Sequence, residues 1–255
     1  MKGELDGKTA IVTGATSGMG RAIARRFAKE GAHVVAGGRN RERGEALIEE
    51  IRAHGGRACF FPGDVREEEV NRGLVEKAVS EYGSLDTVVL SAGNLGIAAL
   101  TETSADMWDE TLDTNLRSVF LMLKYGLPKL SEGSGGSAVV IGSIAGFKVF
   151  PNHPAYCAAK GAVIQLVRQA ALDYGPQVRI NGLHPGQVDT PLLWDSAQAF
   201  PNPESVVQET EGKLPLKRLG KPDDIAEAAL FLAGSRSAWV TGTNFVIDGG
   251  SLSIP

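Results

Sequence analysis

Apolar and polar positions along the chain follow two alternating patterns. Short apolar runs bounded by glycine or polar residues predict buried strands, and longer stretches with apolar residues at helical spacing predict helices. The predicted strands are residues 9–13, 33–36, 58–61, 87–90, 138–141, 178–181 and 244–247. The predicted helices are residues 21–30, 41–54, 67–82, about 105–130, about 155–174 and 223–233.

One segment, at about 190–215, departs from this regularity. It contains four prolines together with large apolar residues such as Leu193 and Trp194. Long irregular segments of compact domains are usually lids, binding loops or disordered chain, and disordered chain is poorer in apolar residues. We therefore predict that this segment is a lid over a substrate site.

Composition excludes several kinds of partner. The 26 Lys and Arg nearly balance the 30 Asp and Glu, for a net charge of -4, which argues against nucleic acid or an anionic membrane as the main partner. No apolar run approaches the roughly 18 residues of a membrane span, and the first residues lack the apolar region of a secretory signal. Cys59 and Cys157 lack CxxC spacing and are interpreted as reduced thiols, so a cytoplasmic protein is expected.

A glycine-rich loop follows the first predicted strand and precedes the first predicted helix. Glycines let the backbone turn sharply and approach a pyrophosphate, whose charge is stabilised by N–H groups at a helix N-terminus. Such loops also serve as plain turns, but this position in the strand–helix order is typical of dinucleotide binding. The residues predicted to bind there are Gly14, Thr16, Ser17, Gly18, Met19 and Gly20.

The alternation of strands and helices predicts an α/β fold. We expect a Rossmann-type doubly wound parallel sheet with helices on both faces. A closed barrel is the competing architecture, but a glycine-rich loop at the first turn favours the open sheet. Since the sequence shows no linker or repeat, residues 1–255 are predicted to form one dinucleotide-binding catalytic domain.

The end of the second predicted strand bears on the choice of dinucleotide. An NAD-selective site usually has a carboxylate here that holds the ribose 2′-OH, whereas this chain has Gly38 and Arg39. Arginine forms paired, charge-assisted hydrogen bonds with a 2′-phosphate, which a carboxylate would repel. We therefore predict NADP in preference to NAD. The alternative is that Arg39 only opens a solvated, charged helix together with Arg41 and Arg43.

Asp64 follows the third predicted strand. Its carboxylate could accept a hydrogen bond from the adenine amino group of a dinucleotide. Asp is also favoured near helix N-termini, so a capping role for the following helix is the other interpretation, and the two roles are compatible.

Tyr156 and Lys160 lie four residues apart, and therefore on one face of a predicted helix. A tyrosine, with a pKa of about 10, is a poor acid or base at neutral pH, but a nearby cation favours the phenolate. Tyr125 and Lys129 have the same spacing, yet Pro128 disfavours a continuous helix there, so Tyr125 is predicted to be structural.

Ser143 lies at the end of the fifth predicted strand. Ligands of open parallel sheets bind outside the carboxyl ends of the strands, so this hydroxyl could bind a substrate oxygen as its charge develops. A lone serine at a strand end is more often a turn residue. Its combination with Tyr156 and Lys160 is what indicates a reaction site.

Taken in order, these motifs resemble the short-chain dehydrogenase/reductase family. The likeness covers nearly the whole chain, in the motifs TGxxxGxG at 13–20, Asn115 within Thr-Asn-Leu, Ser143 thirteen residues before Tyr156, YxxxK at 156–160, Pro185-Gly186 and Asp248-Gly249-Gly250. Ser91 replaces the asparagine that usually precedes Ala-Gly in the family. We expect this departure to have a modest effect on stability and to leave cofactor binding intact.

The resemblance implies an oxidoreductase that transfers a hydride between a nicotinamide dinucleotide and a carbonyl or secondary alcohol. Tyr156 would donate or remove the substrate proton, and Ser143 would orient the oxygen. Lys160 would bind the nicotinamide ribose and lower the pKa of Tyr156. Asn115 would hold a water that connects Lys160 to solvent through a kinked helix.

Further residues follow from the resemblance and from position. The remaining cofactor residues would be Val65, Ser91, Ala92, Gly93, Pro185, Gly186, Val188 and Thr190. The substrate pocket is predicted to contain Leu95, Ile144, Phe150, His153, Leu193 and Trp194, which suggests an apolar or aromatic portion of the substrate. No metal site is expected, because the four histidines are scattered over different elements; a surface or packing role is predicted for His184. Family members are commonly homotetramers, so a homotetramer is expected.

Three functions stay open on the sequence. The leading one is an NADP-dependent ketoreductase or alcohol dehydrogenase with a small-molecule substrate. Reduction of a 3-oxoacyl group on a carrier protein is an alternative, although no strongly basic patch near the lid favours an acidic carrier. A non-catalytic dinucleotide-binding regulatory protein is an alternative of another class, since fold does not fix function. The presence of Asn115, Ser143, Tyr156 and Lys160 argues against it.

Overall fold

A computed structural model describes residues 3–133, 135–198 and 200–253 of the chain. Within them, seven parallel strands form one sheet in the order β3-β2-β1-β4-β5-β6-β7. The strands are β1 (Thr9–Thr13), β2 (His33–Gly38), β3 (Arg57–Pro62), β4 (Thr87–Leu90), β5 (Gly136–Ile141), β6 (Val178–Pro185) and β7 (Asn244–Ile247). The predicted doubly wound parallel sheet is confirmed. The strand order reverses beside β1, and such a switch point is where these sheets bind ligands.

Helices cover both faces of the sheet. They are α1 (Gly18–Lys29), α2 (Arg41–Ala53), α3 (Glu68–Tyr82), α4 (Ala105–Leu112), α5 (Ser118–Leu130), α6 (Pro154–Tyr174), α7 (Pro191–Ala197), α8 (Pro203–Lys213) and α9 (Pro222–Ala233). A π-helical turn, Asp113–Arg117, joins α4 to α5. Within the described ranges, no helix is long and apolar enough to cross a membrane.

Two apolar cores lie on opposite faces of the sheet. On one face Phe27 and Leu230 of α1 and α9 pack against strand residues such as Val12. On the other face Leu74 and Met122 of α3 and α5 belong to a second cluster with alternate strand residues. Strands buried on both faces have nearly continuous apolar sequences, which explains why the apolar runs located them.

The structure differs from the sequence prediction in two helical segments. The segment expected to be irregular contains α7 and α8, each of which begins with a proline at its first position, where a missing N–H costs no helical hydrogen bond. Ala199, between them, lies outside the described residues. The expectation that Pro128 interrupts its helix was wrong. Pro128 lies in the last turn of α5, which continues to Leu130. So close to the helix end, its missing N–H removes few helical hydrogen bonds.

Candidate active site

A cleft of about 600 Å³ lies at the carboxyl ends of the strands on both sides of β1. Three elements supply most of its walls: the β1–α1 loop, the ends of β2, β3 and β4, and the buried face of α6. The predicted cofactor and catalytic residues that line it are Gly14, Thr16, Ser17, Gly18, Met19, Gly20, Arg39, Asp64, Val65, Ser91, Ala92, Gly93, Asn115, Tyr156, Lys160 and Thr190. Pro185, Gly186 and Val188 line a smaller adjoining pocket instead.

The β1–α1 loop lines this cleft with its glycine-rich backbone. Gly14 has a left-handed φ of 65°, and a Cβ atom there would lie 2.8 Å from the backbone nitrogen of Ala92. A Cβ atom on Gly20 would lie 2.3 Å from the Gly14 carbonyl oxygen, so the loop packs tightly on the start of α1. Among the described residues, no side chain caps α1, and its first turn holds no acid. The positive end of this helix therefore fits an anionic group such as a pyrophosphate.

Arg39 lies at the edge of the cleft with its side chain 71% exposed, and its Nη1 is 3.9 Å from Asp64 Oδ2. Arg43, one turn into α2, lines the same corner. Two guanidinium groups on one corner make it electropositive and fit a phosphate.

Asp64 is held by a neighbour in sequence. Its carboxylate accepts hydrogen bonds from the backbone nitrogen of Arg66 at 3.0 Å and from the Arg66 guanidinium at 2.8 and 3.0 Å. Burial raises the pKa of this carboxyl, but the bonds from Arg66 outweigh it and lower the pKa overall. The N-cap residue of α3 is Glu67, so Asp64 stabilises a turn and not the helix end.

The three residues of the predicted reaction site converge at the inner end of the cleft. Tyr156 and Lys160 are buried on one face of α6, and the Lys160 Nζ lies 5.5 Å from the centre of the Tyr156 ring. Lys160 donates a hydrogen bond to the carbonyl oxygen of Ile141, at the end of β5, at 3.0 Å. Ser143 follows that strand; its hydroxyl accepts a bond from the Ala145 nitrogen and also hydrogen-bonds to Tyr156.

Burial shifts the pKa values of the two α6 residues in opposite directions. It raises the pKa of Tyr156 to about 12, although the hydrogen bond with Ser143 acts in the other direction. It lowers the pKa of Lys160 to about 8. This differs from the expectation that Lys160 lowers the pKa of Tyr156, because desolvation disfavours both charged forms and the ammonium is directed at a carbonyl oxygen.

Asn115 occupies the π-helical turn between α4 and α5. Its Nδ2 donates to the Asn94 carbonyl at 3.0 Å, to Asn94 Oδ1 at 2.8 Å and to the Thr111 carbonyl at 2.9 Å. Its Oδ1 is buried without a hydrogen-bond partner in the described part of the chain and lies 3.0 Å from where a Cβ atom on Gly93 would be. An unpaired acceptor at the cleft wall fits a bound water or ligand donor. The sequence analysis did not find Asn94, whose carbonyl and side chain fix this amide.

His184 is buried behind Ser143. A surface or packing role was predicted for it, and in the structure its ring contacts the backbone of this site residue. Its Nδ1 lies 3.3 Å from the Ser143 backbone nitrogen, and its Nε2 lies 2.8 Å from Asn244 Oδ1 on β7. Burial lowers the pKa of His184. In the described residues, no group of three or more His, Cys, Asp or Glu side chains is arranged to hold a metal ion.

The adjoining pocket has a volume of about 140 Å³ and opens beside Ser143 and Tyr156. Five of the six predicted substrate residues line it: Leu95, Ile144, Phe150, His153 and Leu193. Trp194 lies elsewhere, because successive helical residues point about 100° apart. Its Nε1 donates to Asp189 Oδ1 at 2.8 Å, and its ring lines a cavity beside α8. Gln187 and Ser196 also line the pocket and were missed by the sequence analysis.

The helix α7 contributes to both cavities. Pro191 and Asp195 face the larger cleft, Leu193 and Ser196 face the small pocket, and Leu192 lines both. The first helix of the predicted lid, α7, is therefore a wall that the two cavities share.

A doubly wound sheet with this cleft and this set of residues defines a class of α/β oxidoreductases. The chain belongs to the short-chain dehydrogenase/reductase family: residues 14–251 match the family profile described as enoyl-(acyl carrier protein) reductase. The family normally uses NAD or NADP.

Relatives of this chain include enzymes named for cyclic substrates. It is 36% identical to the 2,5-dichloro-2,5-cyclohexadiene-1,4-diol dehydrogenase LinX of Sphingobium indicum, over 98% of each chain. It is 35% identical to a cyclohexanol dehydrogenase of Acinetobacter sp., over 98% of this chain and 96% of the relative. The solved structure of Thermoplasma acidophilum aldohexose dehydrogenase resembles it with a TM-score of 0.90 and 31% identity, over 100% of this chain and 98% of that one.

Proposed function

We propose that the protein is an NADP-dependent dehydrogenase or ketoreductase that interconverts a small cyclic secondary alcohol and its ketone. The observation that carries this proposal is the junction of the two cavities. Buried Tyr156 and Lys160 and half-buried Ser143 lie where a dinucleotide-sized cleft meets a ring-sized apolar pocket. Residues 1–255 act as one catalytic domain with a lid at about 190–215.

In the direction of oxidation, the substrate hydroxyl gives its proton to the phenolate of Tyr156 and its carbon loses a hydride, so that a carbonyl forms. A nicotinamide dinucleotide held by the β1–α1 loop and Lys160 would supply the hydride acceptor. Ser143 donates a hydrogen bond to the substrate oxygen. Lys160, together with the positive charge that an oxidised nicotinamide would bring, offsets the burial that disfavours the phenolate. Asn115 Oδ1 accepts a hydrogen bond from a water that returns the proton towards solvent. Reduction runs the same steps backwards, with Tyr156 as the acid.

The size of the small pocket supports a compact ring as substrate. Its volume of about 140 Å³ resembles that of an apolar cavity of about 150 Å³ that holds benzene. The names of the two cyclic-alcohol dehydrogenases among its relatives agree with this size.

Two observations favour the carrier-protein alternative: the description of the family profile, and a 33% identical relative, the 3-oxoacyl-[acyl-carrier-protein] reductase of Thermotoga maritima, which matches 96% of this chain and 98% of the relative. Against it, two cations near the lid are paired with acids: Lys213 lies 3.5 Å from Glu209, and Arg218 lies 2.6 Å from Asp224. Such a mixed surface does not select an acidic carrier protein. We therefore favour the small-molecule substrate.

The test is the Tyr156→Phe variant, assayed with NADP⁺ and a panel of ring alcohols. Loss of the acid/base hydroxyl should reduce turnover by about 10²–10⁴-fold, while dinucleotide affinity stays within about twofold. Reduced nicotinamide is followed by absorbance and binding by fluorescence titration. Turnover that survives the substitution would remove Tyr156 from this role, and a dinucleotide that fails to bind the wild type would refute the dehydrogenase itself.

A further inference from the structure

A second polar pair lies in the small pocket, apart from Ser143 and Tyr156. His153, at the N-cap of α6, is buried with 8% of its surface exposed, and its Nε2 lies 3.3 Å from the Ser196 hydroxyl on α7. Both residues line the pocket among apolar neighbours such as Leu95 and Phe150. Nothing in the reaction proposed above uses this pair.

The backbone fixes the direction of the His153 ring. Asn152 has a left-handed φ of 61°, an uncommon conformation that asparagine tolerates better than most residues, and its carbonyl accepts a hydrogen bond from the Ala98 nitrogen at 3.0 Å. The His153 ring also makes edge contacts with Phe150 and Tyr156, at centroid distances of 6.3 Å each. A strained backbone residue held by its surroundings is typical of functional sites.

Hydrogen bonding then determines what the ring offers to a ligand. Its Nδ1 lies 2.6 Å from the Pro151 carbonyl oxygen, which can only accept, so Nδ1 carries a proton. In the neutral ring, Nε2 is therefore an acceptor that faces the pocket. The Ser196 hydroxyl donates to this nitrogen at 3.3 Å, which is a long hydrogen bond, so a ligand hydroxyl at a shorter distance would bind Nε2 more strongly.

We propose that His153 Nε2 and the Ser196 hydroxyl bind a second hydroxyl group of the substrate, so that the preferred substrates are ring diols or hydroxyketones. The second hydroxyl donates to Nε2 and accepts from Ser196, while the reacting oxygen contacts Tyr156 and Ser143. The ring centroids of His153 and Tyr156 are 6.3 Å apart and both residues line this one pocket, so a single compact substrate can contact both. This inference rests on the proposed alcohol dehydrogenase function and specifies its substrate class.

The test compares cyclohexanol with cis- and trans-cyclohexane-1,4-diol as substrates, with NADP⁺, under identical buffer conditions. Wild-type kcat/KM should favour a diol by about tenfold, the value of one neutral hydrogen bond, chiefly through a lower KM. In His153→Phe, which keeps a ring, and in Ser196→Ala, the diol-to-cyclohexanol ratio should fall to near one. Ser205→Ala, an exposed serine on α8, is the matched control and should keep the wild-type ratio.

A wild-type ratio near one, or a preference that survives both substitutions, would overturn the inference. A ring hydroxy acid preferred over the diols would do the same, because it would mark a charged ligand. Proton NMR of the His153 ring, assigned by its loss in His153→Phe, gives a readout without turnover: its signals should shift on addition of a diol but not of cyclohexanol. If the His153 signals shift with a diol but no alcohol is oxidised, the dehydrogenase function is refuted and the hydroxyl-binding site stands. If alcohols are oxidised but the His153 signals do not shift, only the hydroxyl-binding site is refuted.

Discussion

At the scale of single residues, burial determines the chemistry of the site. Tyr156 and Lys160 lie side by side on α6, and desolvation moves the pKa of the first up to about 12 and of the second down to about 8. Both uncharged forms are thereby favoured. The sequence identified these two side chains and their common helix face, but burial depends on long-range packing that spacing does not report.

These shifts give a pH dependence with opposite signs for the two directions of reaction. Reduction needs the protonated Tyr156 beside the protonated Lys160, whereas oxidation needs the pair after it has lost one proton. We expect kcat/KM for ketone reduction to fall as pH rises through about 8, where Lys160 gives up its proton, and kcat/KM for alcohol oxidation to rise over the same interval. Both profiles are measured from about pH 6 to about pH 10. Profiles that run parallel would contradict this assignment.

Replacing Arg39 tests whether the protein prefers NADP to NAD. If its guanidinium binds the 2′-phosphate, Arg39→Ala should weaken NADPH binding by about 10–100-fold and leave NADH binding nearly unchanged, as expected for lost charge-assisted hydrogen bonds. Arg41→Ala is the matched control, since Arg41 pairs with Glu45 along α2 at 3.3 Å. Fluorescence titration gives both dissociation constants, and equal losses for the two dinucleotides would refute the assignment.

At the scale of secondary-structure elements, the sequence analysis located the strands of the sheet but missed two helices. The apolar runs located every strand of the described sheet. The central strands are covered on both faces, and β7 was located by its apolar sequence although Phe245 and Val246 are exposed. The helices α7 and α8 were missed because they are short and their start signals, Thr190-Pro191 and Asn202-Pro203, stand where prolines also suggested irregular chain. The face of α7 that carries Leu193 into the pocket, and turns Trp194 away from it, becomes visible only once that helix is known.

The contact between the β1–α1 loop and α1 gives a prediction at this scale. In Gly20→Ala the added methyl group would meet the Gly14 carbonyl at 2.3 Å, so the loop must open and its N–H groups move. We expect dinucleotide affinity to fall by about tenfold or more, measured by titration. Gly212→Ala in α8 adds the same group where nothing lies within 4 Å and should bind like the wild type. Equal affinities for all three proteins would show that the loop tolerates the change.

At the scale of the whole molecule, the far edge of the sheet remains open. The strand β7 exposes Phe245 and Val246, and Leu172 near the end of α6 is 78% exposed. Exposed apolar residues on a sheet edge and a neighbouring helix are typical of subunit contacts. They support the homotetramer that the family resemblance led us to expect.

We predict that the purified protein is a homotetramer and that Phe245→Glu, which places a charge on this edge, shifts it to smaller species. Light scattering coupled to size exclusion gives the mass. Glu209→Gln on α8, an exposed position away from β7, is a control for changed charge and should stay tetrameric. A wild type that elutes as a monomer would refute the expectation.

The position of α7 has a consequence for how the two ligands are bound. Leu192 lines both cavities, and its neighbours on the same short helix face one or the other. If the dinucleotide and the alcohol bind as proposed, each contacts α7, and free energy that one contributes to holding this helix is free energy that the other need not supply. We therefore expect the two ligands to bind cooperatively, so that the apparent affinity of the protein for an alcohol rises once the dinucleotide is present.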